Sequence, residues 1–290
     1  MKKILAILLA AMLLLSLTAC GDNKGALISG IQNNKKDIVA TFQTENGVFS
    51  YEYVESDTIR IMSYDGKVEL HDLVIDEKMN DLTVVAIADG AFYGLSNIKS
   101  VSLPNTVTTI GSNAFAGCRG LVSVSIPASI TSLGVNAFYN CEKLTTVTFT
   151  NTEAAALTAI PKSAFNGCVA LTTINLPATV TVVDTAAFFN CASLTDVTLP
   201  ASLERLGMQA FQNCAKLATV TFGDQIKVCE PHAFDGCDAL TNIVCPVLTG
   251  WSVFYEDEAE ATAITFDSVE TAIHMLTETY YNYTFVRNAD

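Results

Sequence analysis

The dipeptide Ala-Phe recurs seven times, ending at Phe92, Phe115, Phe138, Phe165, Phe188, Phe211 and Phe234, with intervals of 23 residues and a single one of 27. A fixed period in the low twenties marks a solenoid, in which one supersecondary unit buries its apolar side only by stacking on copies of itself. Most residue choices then answer to the repeat, and function is to be sought where the chain departs from it.

The segment Ile110 to Ile130 decodes the unit. Ala114 and Phe115 are read as a single helical turn, Gly117 ends it, Cys118 and Leu121 point inward, and Val124-Ser125-Ile126 is a short strand closed by Pro127. Two residues after each Phe stand Gly94, Gly117, Asn140, Gly167, Asn190, Asn213 and Gly236. Gly and Asn tolerate positive φ at low cost, so this position is expected to be left-handed in every coil. Gly111, Gly134, Asp184 and Gly207 suit the N-cap of that turn, and Pro231 its first position. Strand alternation sends Val124 and Ile126 inward and Ser125 outward. Stacking then aligns Val101, Val124, Val147, Ile174, Val197, Val220 and Ile243 in one buried ladder about 4.8 Å apart. The Phe residues form a second ladder, each contributing about 2–3 kcal/mol by burial, with truncation to Ala costing about 3–5 kcal/mol.

The strand motif Leu-x-x-Val-x-Ile/Leu-Pro and the turn motif Ala-Phe-x-Gly/Asn-Cys, recurring over residues 85–246, resemble the BspA-like leucine-rich repeat family of surface proteins. Departures are modest: Leu95 replaces Cys in the first unit, Thr150 and Gly223 replace the strand-ending Pro, and Cys245 takes the strand's apolar position in the last unit. The resemblance implies a right-handed β/α solenoid of about seven 23-residue units, exposed on a cell surface, that binds molecules of a host or a neighbouring cell. It implies no catalytic residues and no cofactor.

Flanking segments are expected to close the array. Residues 38–84 alternate in the manner of strands and suit a β N-terminal cap, with Asp65-Gly66 as a hairpin turn ahead of Val68 and Leu70. Residues 247–290 are not repeat: Phe266 to Thr279 suits a helix begun at Asp267 and Tyr280 to Val286 a strand, together an α+β C-terminal cap. At the other end, Lys2 and Lys3 precede an apolar run from Ile4 to Leu17, shorter than a membrane span, then Leu17-Thr18-Ala19-Cys20-Gly21. This pattern resembles a bacterial lipobox. It implies a signal peptide over residues 1–19, a diacylglycerol on Cys20, a membrane anchor, and a flexible tether over residues 20–37.

Charge and chemistry narrow the function. Sixteen basic residues face thirty acidic ones, a net charge of −14, which loss of Lys2 and Lys3 would deepen; nucleic acid and anionic lipid surfaces are poor partners for such a chain. Six of the nine cysteines (Cys118, Cys141, Cys168, Cys191, Cys214, Cys237) occupy the repeat's inward position, where buried free thiols serve as small hydrophobes. Neighbouring thiols in a parallel ladder do not point at one another as a disulfide requires. Cys229, His232, Cys237 and Cys245 offer zinc-type ligands, but the thiols align with core positions and His232 with the outer side of the turn, so no metal site is assigned. Three histidines and the absence of a nucleophile elbow, phosphate loop or His-Glu-x-x-His argue against an enzyme.

What remains is surface, expected to act as a monomeric, non-catalytic module for an extracellular protein or glycan. Outward strand residues, Thr146, Thr148, Thr173 and Asn175 among them, make a hydroxyl-rich face. The long unit carries an insertion near Asn151-Thr152-Glu153-Ala154-Ala155-Ala156, expected to bulge from the wall with Asn151, Thr152 and Glu153 as candidate contacts, and insertions in solenoids often serve binding. Tyr93, Tyr139 and Phe189 follow the turn Phe in alternate units and could form an aromatic ridge. Two other functions compete: an assembly component of the cell envelope, and a hydrolase or metal site in the segment after Pro246.

Overall fold

A computed structural model describes residues 39–67, 69, 71–152, 154–245, 251–254, 262–264, 276 and 283–287. Cys20 and the segments read as signal peptide and tether lie outside these residues, as do Val68, Leu70, Glu153 and, Leu276 apart, the segment read as a helix over Phe266 to Thr279. The described chain is a β-solenoid of about eight turns with about 23 residues per turn.

Each coil contributes a long strand, a corner, a two-residue strand and a turn. The long strands Ile98–Ser102, Ser123–Ile126, Thr146–Phe149, Thr173–Asn175, Asp196–Thr198, Thr219–Thr221 and Asn242–Val244 pair in parallel. Their register is the expected one, with Val101, Val124, Val147, Ile174, Val197, Val220 and Ile243 directly adjacent. All seven are buried. The phenylalanines form the second ladder: consecutive rings from Phe92 to Phe234 stack with centroids 4.8–5.8 Å apart and planes within 7°. Each is fully buried, and the five inner rings share both faces with their neighbours, so an aromatic column runs continuously through the core.

The turn is not helical. No α-helix forms in any described coil; Ala114 N–H bonds Gly111 O, Ala116 N–H bonds Asn113 O and Cys118 N–H bonds Phe115 O, three i→i−3 turns in series. The intervening amides point along the solenoid axis instead and donate to carbonyls of the next coil: Asn113 to Val135, Phe115 to Ala137 and Gly117 to Tyr139. Left-handed residues produce this alternation. The Gly/Asn position after the Phe has φ between 55° and 77° in all seven coils, as its composition implies. A second left-handed position precedes the Phe, at Gly90, Asn113, Asn136, Ser163, Ala186, Gln209 and His232, with φ of 54–64°. With no helix to cap, the glycines read as N-caps have another cause: a Cβ on Gly207 would lie 2.6 Å from the backbone carbonyl carbon of Asp184. Close approach of stacked backbones selects glycine there.

The six inward cysteines are free and buried. They are more than small hydrophobes, because each Sγ donates to the carbonyl of the preceding coil's Phe at 3.0–3.3 Å, from Cys118 on Phe92 to Cys237 on Phe211.

At the N-terminal side, β1 (Ala40–Gln43), β2 (Gly47–Tyr53) and β3 (Thr58–Gly66) are antiparallel, and β3 pairs in parallel with β6 (Leu82–Ile87), itself flanked by β5 (Lys78–Met79). β4 (His71–Val74) extends the long-strand sheet by one strand. The hairpin between β2 and β3 turns at Val54 to Asp57, so Asp65-Gly66 is not the expected turn: it lies at the end of β3, where Gly66 pairs with Gly47. The Tyr64 ring, 4.6 Å from that of Phe49, takes up the space a side chain on Gly66 would need. At the C-terminal side Thr284–Arg287, within the strand read over Tyr280 to Val286, pairs antiparallel with Val228–Cys229 and with Trp251–Phe254, and the latter with Thr262–Ile264.

The two-residue strands form a column with one break. Thr109–Ile110 and Ser132–Leu133 continue the sheet of β6, whereas Ala159–Ile160, Val182–Val183, Arg205–Leu206 and Val228–Cys229 belong to another. Among the described residues no backbone hydrogen bond joins 131–134 to 158–161. Pro161 stands where Asp184, Gly207 and Glu230 donate an amide to the preceding coil, and proline has none to give. The long sheet and the turn column pass through this boundary unbroken.

Candidate functional site

Three surfaces hold the residues singled out from the sequence. On the long-strand sheet, Thr146, Thr148, Thr173 and Asn175 are exposed and adjacent, Thr146 opposite Thr173, within two outward columns of mostly Ser and Thr. The columns are formed because strand alternation commits every other residue to water. Ser100 Oγ donates to Asp72 Oδ1 at 2.7 Å, so the first rung is already paired within the chain. One column begins at Val74 and ends at Val244, both exposed, a bracket that the hydroxyl pattern alone does not reveal.

The insertion lies at the corner between Thr146–Phe149 and Ala159–Ile160, directly after the hydroxyl face. Asn151 takes a left-handed φ of 48° and its carbonyl accepts Ala154 N–H at 3.0 Å. Thr152 O accepts Ala178 N–H from the next coil at 3.3 Å, and Ala156 N–H donates to Ala128 O of the previous one at 3.1 Å. Ala155 and Leu157 are buried. The extra residues are thus stitched to both neighbours, and among the described ones Asn151, Ala154 and Ala156 stand exposed.

Tyr93, Tyr139 and Phe189 lie on the turn, away from the other two groups along each coil. Tyr93 is 66% and Tyr139 38% exposed, while Phe189 is half-buried. Ala116, which occupies the same position in the coil between the tyrosines, is 1% exposed and forms the floor between them. Asn166 takes that position between Tyr139 and Phe189. Their backbones are fixed by the axial bonds of the turn column: Gly94 to Ala116, Gly117 to Tyr139, Asn140 to Asn166 and Gly167 to Phe189, at 2.7–2.9 Å.

Little in these surfaces can do chemistry. Arg205 bridges three coils, donating to Glu230 at 2.6 Å and Asp184 at 3.3 Å; the Glu230 contact, foremost, raises its pKa further. Glu230 also accepts Met208 N–H at 2.9 Å, which makes the group a cross-coil staple. The thiols are pushed away from nucleophilic use: burial raises Cys118, Cys168, Cys229 and Cys237 to about 12, and Cys141, Cys191 and Cys214 well above their ordinary value. Of the zinc-type set, Cys229 and Cys237 are buried, and the side chain of His232 is about one-third exposed on the turn. Among the described residues no three His, Cys, Asp or Glu side chains converge as metal ligands.

The chain is similar to known leucine rich repeat proteins. A crystal structure of a leucine rich repeat protein from T. pallidum is 30% identical, covering 68% of this chain and 78% of that one, with a TM-score of 0.48. A leucine rich cell surface protein from Faecalibacterium prausnitzii is 23% identical over 72% of this chain and 77% of that one, with a TM-score of 0.45. No curated protein gives a significant match. Residues 58–157 and 158–282 match the BspA type leucine rich repeat region in six copies, and the chain belongs to that family.

Proposed function

We propose that this chain is a non-catalytic binding module for an extracellular protein or glycan, held at a cell surface by lipid on Cys20. The observation that carries this reading is the turn ridge: uncharged, recognition-type side chains stand exposed on a backbone whose successive turns are hydrogen-bonded to one another. Binding to a rigid scaffold loses little conformational freedom, which favours affinity without a deep pocket. The lipobox-like Leu17 to Gly21 supports export and anchoring, with residues 20–37 as the tether. Residues 38–84 and 247–290 serve as the β N-terminal and α+β C-terminal caps that keep a solenoid from presenting open edges, and so monomeric.

The test is an array of extracellular-matrix proteins, mucins and glycans probed with the full-length protein in detergent at physiological salt. Saturable binding to at least one class supports the module. Binding no greater than that of an unrelated repeat protein overturns it and brings forward a structural role in envelope assembly.

A further inference from the structure

We infer that the turn ridge is a binding site for a neutral, extended β-1,4-linked glycan chain laid parallel to the solenoid axis, its sugar rings stacked on Tyr93, Tyr139 and Phe189. This deepens, and rests on, the binding-module reading.

Spacing is the first argument. The three aromatics occupy the same position in every second coil. The buried phenylalanines that immediately precede them in sequence step by 4.8 and 5.3 Å per coil between Phe92 and Phe138, so the platforms recur about every 10 Å along the axis. An extended β-1,4-linked chain turns each sugar half a revolution from the last. It therefore offers the same ring face once per disaccharide, a repeat of the same length. The coil between the two most exposed rings contributes Ala116, 1% exposed, so the floor between Tyr93 and Tyr139 is low and a chain can lie across both.

Chemistry is the second. An aromatic face attracts the axial C–H groups of a sugar, and carboxamides supply donor and acceptor together for its hydroxyls. Beside the platforms stand Asn140, Asn166 and Asn190, the first two half-buried and the last exposed. The two columns that follow the turn Phe carry no charged residue from Tyr93 to Asn213, and the chain as a whole is at −14. Both facts select an uncharged polymer over an anionic one.

Rigidity is the third. Each platform residue is flanked by a left-handed Gly or Asn whose amide is bonded to the next coil, so the spacing is fixed before the ligand arrives.

Isothermal titration of the full-length protein in detergent with cellohexaose, chitohexaose, cellotriose and maltohexaose tests the site. At least one β-1,4 hexasaccharide should bind, cellotriose should bind more weakly because it reaches two platforms instead of three, and maltohexaose, whose chain coils, should bind at least about tenfold more weakly. Tyr93→Ala and Tyr139→Ala should each weaken binding about tenfold or more, while Tyr93→Phe retains it; thermal melts of all three should match the parent, since the rings are exposed. Failure of both β-1,4 hexasaccharides to bind, equal binding of maltohexaose, or indifference to Tyr93→Ala and Tyr139→Ala overturns the inference. If the array of proteins and mucins still binds in that case, the ridge inference alone has failed; a blank array removes the binding-module reading with it.

Discussion

The thiol of Cys141 donates to the carbonyl oxygen of Phe115, 3.1 Å away in the preceding coil. The same oxygen accepts the amide of Cys118 at 3.2 Å, so both of its lone pairs are used in a fully buried setting. A cysteine at this position is therefore a packing residue and an inter-coil tie at once. Cys141→Ala leaves Phe115 O with one partner and opens a small void beside the aromatic column. The expected cost is about 1–2 kcal/mol in equilibrium denaturation, from the lost hydrogen bond and the cavity together. A variant indistinguishable from the parent would show that the thiol contributes only volume that the core can close.

Burial of these thiols makes stability depend on alkaline pH. In the folded chain burial, foremost, raises Cys168 from 9.0 to about 12, while the unfolded chain titrates near the ordinary value. Between these values the unfolded state has lost a proton that the folded state still holds. Stability is therefore fully present below about pH 9 and falls as pH rises towards about 12, by about 1.4 kcal/mol per pH unit for each such thiol. Melting temperatures of the parent and of Cys168→Ala, measured from pH 8 to pH 11 (~1-unit steps), should diverge in slope, the variant falling less steeply. Parallel curves would mean that Cys168 ionises as readily folded as unfolded.

How far the sequence foretells this fold depends on how narrow a set of side chains a position admits. The second residue after the turn Phe has a left-handed backbone, and its restriction to Gly and Asn makes that conformation visible. The left-handed position before the Phe is occupied by Gly90, Asn113, Asn136, Ser163, Ala186, Gln209 and His232, a set with no common character. There, as at the Gly/Asn position, the backbone penalty, roughly 1–2 kcal/mol for an ordinary residue, is offset by an axial hydrogen bond from the same residue, such as Ala186 N–H to Met208 O at 2.8 Å, and the side chain is left unrestricted. A stabilisation that comes from the neighbouring coil leaves no trace in the local sequence. The same cause turns the expected helical turn into serial i→i−3 turns. Tyr93 and Tyr139 are legible as candidates because exposed aromatics interrupt a pattern of small residues, whereas the tie between the Cys thiols and Phe carbonyls is not, since a buried thiol and a buried methyl look alike in sequence.

The break in the two-residue strand column should register in hydrogen exchange. Thr131 N–H donates to Thr108 O at 2.9 Å, Thr181 N–H to Thr158 O at 2.8 Å and Glu204 N–H to Thr181 O at 2.8 Å. Thr158 occupies the equivalent place in the lengthened coil, and its amide makes no backbone hydrogen bond among the described residues. Pro161 removes the next rung outright, so the boundary is held by the long sheet, the turn column and the corner bond from Ala156 N–H to Ala128 O. The Thr158 amide is expected to exchange at least about tenfold faster than those of Thr131, Thr181 and Glu204 under native conditions, because exchange there needs no opening of a coil. Site-resolved hydrogen–deuterium exchange decides it. Equal protection at all four amides would mean that the ladder closes across the boundary in solution, and that Pro161 and the inserted residues leave the solenoid uniformly coupled from coil to coil.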